Sequence, residues 1–163
     1  MYPVIRFRNS MFIPKTQEYA LRCMAQIALM PWETSLNADQ LAQLTGVPRS
    51  YISKVLQKLT SSKLLVGEKG HGGGFKLARP PSTITFSQIL EASGFIIDPD
   101  HCISGWVSCN LKNPCPLHSS FSRLKKNFFD WASKTSLSEV SSSAVVKEQL
   151  KNLAQRKSNK KHC

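Results

Sequence analysis

The sequence predicts a mainly α-helical protein with one small β-hairpin, on three observations. Apolar residues recur at helical spacing in successive stretches between Thr16 and Ser133. Two capping-box patterns, Asn37 with Gln40 and Thr85 with Gln88, mark helix starts in those stretches. The glycine-rich run from Gly67 to Gly74 lies between two short apolar segments, so it reads as a hairpin tip.

Residues 1–15 read as a flexible leader ending near Pro14. A first helix is expected from about Thr16 to Met30, with Thr16 as N-cap and Glu18 in the first turn, where negative charge suits the helix dipole. Tyr19, Ala20, Cys23, Met24, Ile27 and Ala28 share one face of it. Asn37 then opens a short helix with Ala38, Leu41, Ala42 and Leu44 on its apolar side. Thr45-Gly46-Val47 is a tight turn, and Pro48 suits the first turn of a further helix running to about Ser61. That helix hides Ile52, Val55, Leu56 and Leu59 and shows Ser50, Ser53, Lys54 and Gln57, with Arg49 and Tyr51 near its start.

Leu64-Leu65-Val66 and Phe75-Lys76-Leu77-Ala78 read as paired strands, and Pro80-Pro81 stops the second. Thr85 opens a helix that Gly94 ends. Residues 98–116 form an irregular stretch holding Cys102, Cys109 and Cys115. From His118 a helix runs to about Ser133, and Leu117, Phe121, Leu124, Phe128 and Trp131 make a seam for packing on another helix. A short helix start follows at Thr135–Val140, then a basic tail expected to be disordered. The expected organisation is thus a leader (1–15), a folded unit (16–96), a cysteine loop (97–118), a helix with a seam for a second helix and a C-terminal segment (119–146) and the tail (147–163).

Charge narrows the function. The 163 residues include 22 Lys and Arg against 10 Asp and Glu, a formal net charge of +12. Such a surplus favours a polyanionic partner through steering and counterion release. No apolar run approaches the roughly 20 residues of a membrane span, and the first residues lack the apolar core of a secretory signal. A cytoplasmic location follows as the expectation. Clustered thiols in a reducing compartment then suggest metal or redox work rather than disulfides. No Cys-x-x-Cys, dinucleotide fingerprint or evident acid/base pair supports an enzyme, so neither catalysis nor a small-molecule substrate is expected.

Short helix, glycine turn, second helix and basic hairpin, in that order, make a winged helix-turn-helix. A helix of this kind fits the major groove of double-stranded DNA while the hairpin reaches the backbone beside it. The expected DNA-binding residues are Arg49, Ser50, Tyr51, Ser53, Lys54 and Gln57 on the helix, with Lys69, His71, Gly72 and Lys76 on the wing. A nucleotide-phosphate loop is the competing account of the glycines. Such loops open a helix, whereas these run from strand to strand.

Tyr19-Ala20-Leu21-Arg22, Gly46-Val47-Pro48-Arg49-Ser50-Tyr51 and Lys69–Pro80, together with the cysteine stretch, resemble the IscR/NsrR family of bacterial regulators from Met11 to about Val140. Met11 sits where such chains begin, so residues 1–10 read as an extension or a misassigned start. The resemblance implies a homodimer joined by its long helices and, in many members, an iron–sulfur cluster. Cys102, Cys109 and Cys115 match the family's cluster ligands, although the first interval is longer here. For the fourth ligand the resemblance implies His118, which matches the histidine three residues after the last cysteine in the IscR branch, in preference to Glu18, which matches a carboxylate that other members direct to the partner subunit's cluster. A [2Fe–2S] cluster is favoured over [4Fe–4S]. Zinc, weakened by intervals much longer than those of zinc knuckles, or free thiols acting as redox sensors, is the alternative.

Overall fold

The computed structural model describes residues 13–70, 73–96, 112 and 114–148. Helices α1 (Lys15–Ala28), α2 (Ala38–Thr45) and α3 (Arg49–Ser61) lead into strands β1 (Leu65–Gly67) and β2 (Phe75–Leu77), followed by a 3-10 turn, Pro81–Thr83. Helices α4 (Phe86–Ala92), α5 (His118–Lys134) and α6 (Leu137–Ser142) follow. Among the described residues no helix is long and apolar enough to cross a membrane.

The first helix starts differently from the sequence expectation. Its N-cap is Pro14, not Thr16, and the Pro14 carbonyl accepts from the N–H groups of Gln17 and Glu18, each at 3.1 Å. The fixed φ of proline, here −60°, already suits the entry to a helix, so no side-chain cap is needed. Pro48 likewise stands at the N-cap of α3 rather than within its first turn. Both capping boxes of α2 and α4 form as their sequences suggest. Ser136 and Glu139 add a third at α6.

Met24, Leu41, Ile52, Leu56, Leu65 and Ile89 sit at the centre of the core, drawn from successive elements of the first part of the chain. Leu137 of α6 joins them. That segment is pinned by main-chain bonds: Leu137 N–H donates to the Ile84 carbonyl at 2.8 Å and Phe86 N–H to the Thr135 carbonyl at 3.0 Å. The chain after α5 therefore returns to the core built by the helices and hairpin before it.

The hairpin pairs Leu65 with Leu77, Val66 with Lys76 and Gly67 with Phe75. Leu36 adds a bridge on the other edge of β2, exchanging hydrogen bonds with Phe75 at 3.0 and 2.8 Å. Backbones pass so closely here that a Cβ on Gly74 would stand 2.6 Å from the Leu36 carbonyl carbon. Helix α5 lies against α4 and its end through rings, Phe128 with Phe95 at 6.2 Å and Trp131 with Phe86 at 5.6 Å. The seam expected to face another helix is thus divided. Phe128 and Trp131 touch the chain's own first unit, while Leu117 and Leu124 stay exposed.

Candidate nucleic-acid interface and cysteine segment

The geometry of α3 follows from its two ends. Gly46 ends α2 with φ +71°, a left-handed conformation that glycine adopts without the steric cost a Cβ brings. Val47 is buried in the turn, and the Pro48 carbonyl accepts from the N–H groups of Tyr51 and Ile52. With that start fixed, Ile52, Val55, Leu56 and Leu59 point into the core. Ser50, Ser53, Lys54 and Gln57 are left on the exposed side.

Arg49 is exposed at the head of α3 and ion-pairs with Asp39 of α2. Tyr51, half exposed, meets Tyr19 of α1 edge-on with ring centroids 5.6 Å apart. Lys58, in the last turn of α3, faces inward to the Ser93 carbonyl at the end of α4. On the wing, Lys69 is exposed, whereas His71 and Gly72 lie outside the described residues.

Lys76, expected to meet phosphate, lies between two carboxylates. Its ammonium lies 2.6 Å from the Glu33 carboxylate and 2.7 Å from that of Glu68. Hydrogen bonding to Glu33, and then to Glu68, pushes its pKa up to about 12. The same ammonium holds Glu68 below the usual carboxylate range. Glu68 could have been recognised beforehand, because it lies diagonally across the strand pair from Lys76. Glu33 carried no such signal. It is 43 residues away and arrives only because Leu36 pairs with Phe75.

Of the expected cluster ligands, Cys102 and Cys109 lie outside the described residues. Cys115 and His118 sit on one turn at the start of α5, where the His118 N–H donates to the Cys115 carbonyl at 3.0 Å. Glu18 is engaged within its own helix, by Lys15 at 2.7 Å and by Arg22. Among the described residues, no three His, Cys, Asp or Glu side chains gather into a metal site. Cys23 is buried on α1, and that burial pushes its thiol pKa up to about 12. It is a core residue.

The fold agrees with known proteins. The model of the Rrf2 family, described as an iron-dependent transcriptional regulator, matches residues 13–143. The chain belongs to the Rrf2 family. An HTH-type transcriptional regulator from Aquifex aeolicus is 28% identical over 132 residues, covering 80% of this chain and 91% of that protein. The HTH-type transcriptional regulator IscR of Vibrio vulnificus is 25% identical over 130 residues, covering 80% and 77%. Among solved structures, CymR, the global cysteine regulator of B. subtilis, superposes with a TM-score of 0.69 at 19% identity. That match covers 82% of this chain and 98% of CymR, and it shows the shared winged fold. This Rrf2 chain is accordingly a DNA-binding transcription regulator and not an enzyme.

Proposed function

We propose that a homodimer of this chain binds a double-stranded operator through α3 and the wing tip. We further propose that an iron–sulfur cluster on Cys102, Cys109 and Cys115 governs that binding. One observation carries the first part: α3 buries its apolar side completely while Ser50, Ser53, Lys54 and Gln57 stand outward beside a glycine-rich wing. Small hydroxyls and an amide can meet base edges, and Arg49 has the forked donors that read guanine. Tyr51 supports the head of the helix, and Lys69, with His71 and Gly72 beside it in sequence, offers the wing's contact to phosphate.

The cluster assignment rests on the donor set. Three thiolates with one imidazole or carboxylate match the softness of iron in such clusters. Cys115 and His118 lie three residues apart at the start of α5, where the His118 N–H bonds the Cys115 carbonyl. Glu18, held by Lys15 and Arg22, is the other candidate for the fourth position. A [2Fe–2S] group is favoured. When bound, it would supply a centre that oxidants, nitric oxide or iron shortage can alter or remove. What this chain contributes is the link between that segment and the two ends of the reading unit, α4 before it and α5 after it. In a dimer the two α3 helices must reach successive major grooves about 34 Å apart, so a small change in their relation shifts the population able to bind.

The test is an anaerobic absorption spectrum with iron and sulfide analysis, run on wild type, His118→Ala and Glu18→Ala. Promoter-fragment binding is measured in parallel with and without the cluster. Visible absorption that one of the two substitutions disturbs supports the assignment. A colourless protein with stoichiometric zinc transfers the role to the thiols themselves. Failure to bind any promoter fragment in every metal state overturns the operator reading.

A further inference from the structure

We propose that Lys76 positions the wing rather than contacting DNA, and that the carboxylates of Glu33 and Glu68 leave the wing's phosphate contact to Lys69. The proposal rests on α3 and the wing being the DNA-reading head. Lys76 projects from β2, where its side chain is only 22% exposed. Its ammonium joins three separate pieces of chain: β2 itself, the end of β1 through Glu68, and the turn between α1 and α2 through Glu33. The backbone of that turn is unusual, since Glu33 holds φ +71°, a conformation that side-chain-bearing residues rarely adopt. Further along the same turn, Leu36 is tied to Phe75 of β2 by paired main-chain bonds.

The charge count has a consequence for DNA. Two carboxylates around one ammonium leave the base of the wing with one net negative charge. Glu33 and Glu68 are also more exposed than the lysine between them, at 59% and 41%. A phosphate approaching this base meets carboxylate first, and like charge keeps it away. Lys69, exposed toward the tip, faces no such barrier among the described ion pairs. Contact with phosphate therefore falls to Lys69 rather than to the base of the wing.

Salt dependence separates the two roles, because each phosphate that the protein neutralises contributes about 0.9 to the steepness of log K against log salt. Operator binding by the full-length dimer is measured across a salt series for wild type, Lys69→Gln, Lys76→Gln, Lys76→Arg and the double variant Glu33→Gln with Glu68→Gln. Lys69→Gln should lower the slope by about 0.9. Lys76→Gln should leave the slope unchanged and weaken binding several-fold at every salt concentration. Lys76→Arg, whose fork can serve both carboxylates, should restore affinity. The double variant frees Lys76 and should raise the slope by about 0.9. A Lys76→Gln slope that falls like that of Lys69→Gln, or wild-type affinity in Lys76→Gln, overturns the proposal. If Lys76→Gln proves unfolded by circular dichroism, the arginine and double variants decide: an unchanged slope in the double variant overturns it. A wild-type protein that binds no duplex overturns the reading head itself, and this proposal with it.

Discussion

Lys58, in the last turn of α3, donates to the Ser93 carbonyl at 3.0 Å, and Gln17 of α1 donates to the same oxygen at 3.1 Å. That carbonyl lies just past the end of α4, where the chain turns at Gly94 with φ +92°. One acceptor thus gathers α3, α1 and the end of α4. The two donors differ in what else they do. Lys58 brings a charge to helix-end carbonyls, whereas Gln17 also buries an amide oxygen that has no hydrogen-bond partner among the described residues.

The difference sets opposite expectations for two substitutions. Lys58→Met removes a charge-assisted bond and should destabilise the fold by about 1 kcal/mol. Gln17→Leu also forgoes a bond, but it removes an unsatisfied buried acceptor and leaves Ser93 its lysine. It should change stability by less than about 0.5 kcal/mol. Urea titration of both variants at constant m-value checks the pair. A greater destabilisation in Gln17→Leu than in Lys58→Met would reverse this account of the junction.

Asp39 of α2 pairs with Arg49, the cation at the head of the reading helix. Both side chains are solvent-exposed, so the ion pair itself is worth little to stability. Under the DNA contact proposed for Arg49, Asp39 competes with DNA for the guanidinium. Asp39→Asn should therefore leave the melting temperature within a degree or two while tightening operator binding a few-fold. Arg49→Ala and Lys54→Ala should weaken binding and leave the dimer intact. Fluorescence anisotropy on a labelled operator measures all three, and unchanged affinity in both alanine variants would remove the assignment of α3.

What the sequence made legible was what near neighbours decide. The capping boxes at Asn37 and Thr85 span three residues, and the phase of Ile52, Val55, Leu56 and Leu59 spans two turns, so both could be recognised without the fold. Leu137 and Glu33 could not. The burial of Leu137 depends on a main-chain bond to Ile84, and the partnership of Glu33 with Lys76 depends on Leu36 finding Phe75. The ion pairs of Lys76 were hidden from the sequence for the same reason. A wing lysine viewed in isolation looks like a phosphate contact, and its two acidic partners arrive through pairing of strands and turn. The thiol chemistry of Cys115 and its spacing to His118 were plain from the residues, since they concern element types and a single helical turn.

Cys23 gives a pH expectation whose sign follows from burial. Desolvation outweighs the help of the Thr45 hydrogen bond and of Arg22, and raises the thiol from 9.0 to about 12. Between those values the unfolded chain releases this proton and the folded chain keeps it. Stability is therefore intact below pH 9 and falls as pH rises toward 12, by up to about 1.4 kcal/mol per pH unit from this group. The pH slope of unfolding free energy between about pH 9 and 10.5 should be shallower in Cys23→Ala than in wild type. Native Cys23 should also resist thiol reagents at about pH 8 and react once the protein is unfolded. A rapid reaction in the folded state would contradict the burial.

Leu117, Leu124 and Trp131 follow one another at intervals of seven residues along α5 and are 54%, 52% and 48% exposed in the single chain. A stripe with that period meets a second helix along one seam, as a two-fold pairing of α5 helices requires. Trp131 is a poor probe of it, because its ring also touches Phe86 and a substitution would disturb the fold. Leu124 is the better one. Its side chain stands outward at the centre of the stripe, so Leu124→Glu should leave helix content and the unfolding midpoint of the isolated subunit unchanged. Burying a leucine side chain is worth about 1.5–3 kcal/mol, and a two-fold interface contains it twice. The dimer dissociation constant, measured by sedimentation equilibrium, should rise by about two orders of magnitude or more, and operator binding should fall with it as the half-sites are engaged singly. A dimer of unchanged affinity would place the interface on another face of the molecule.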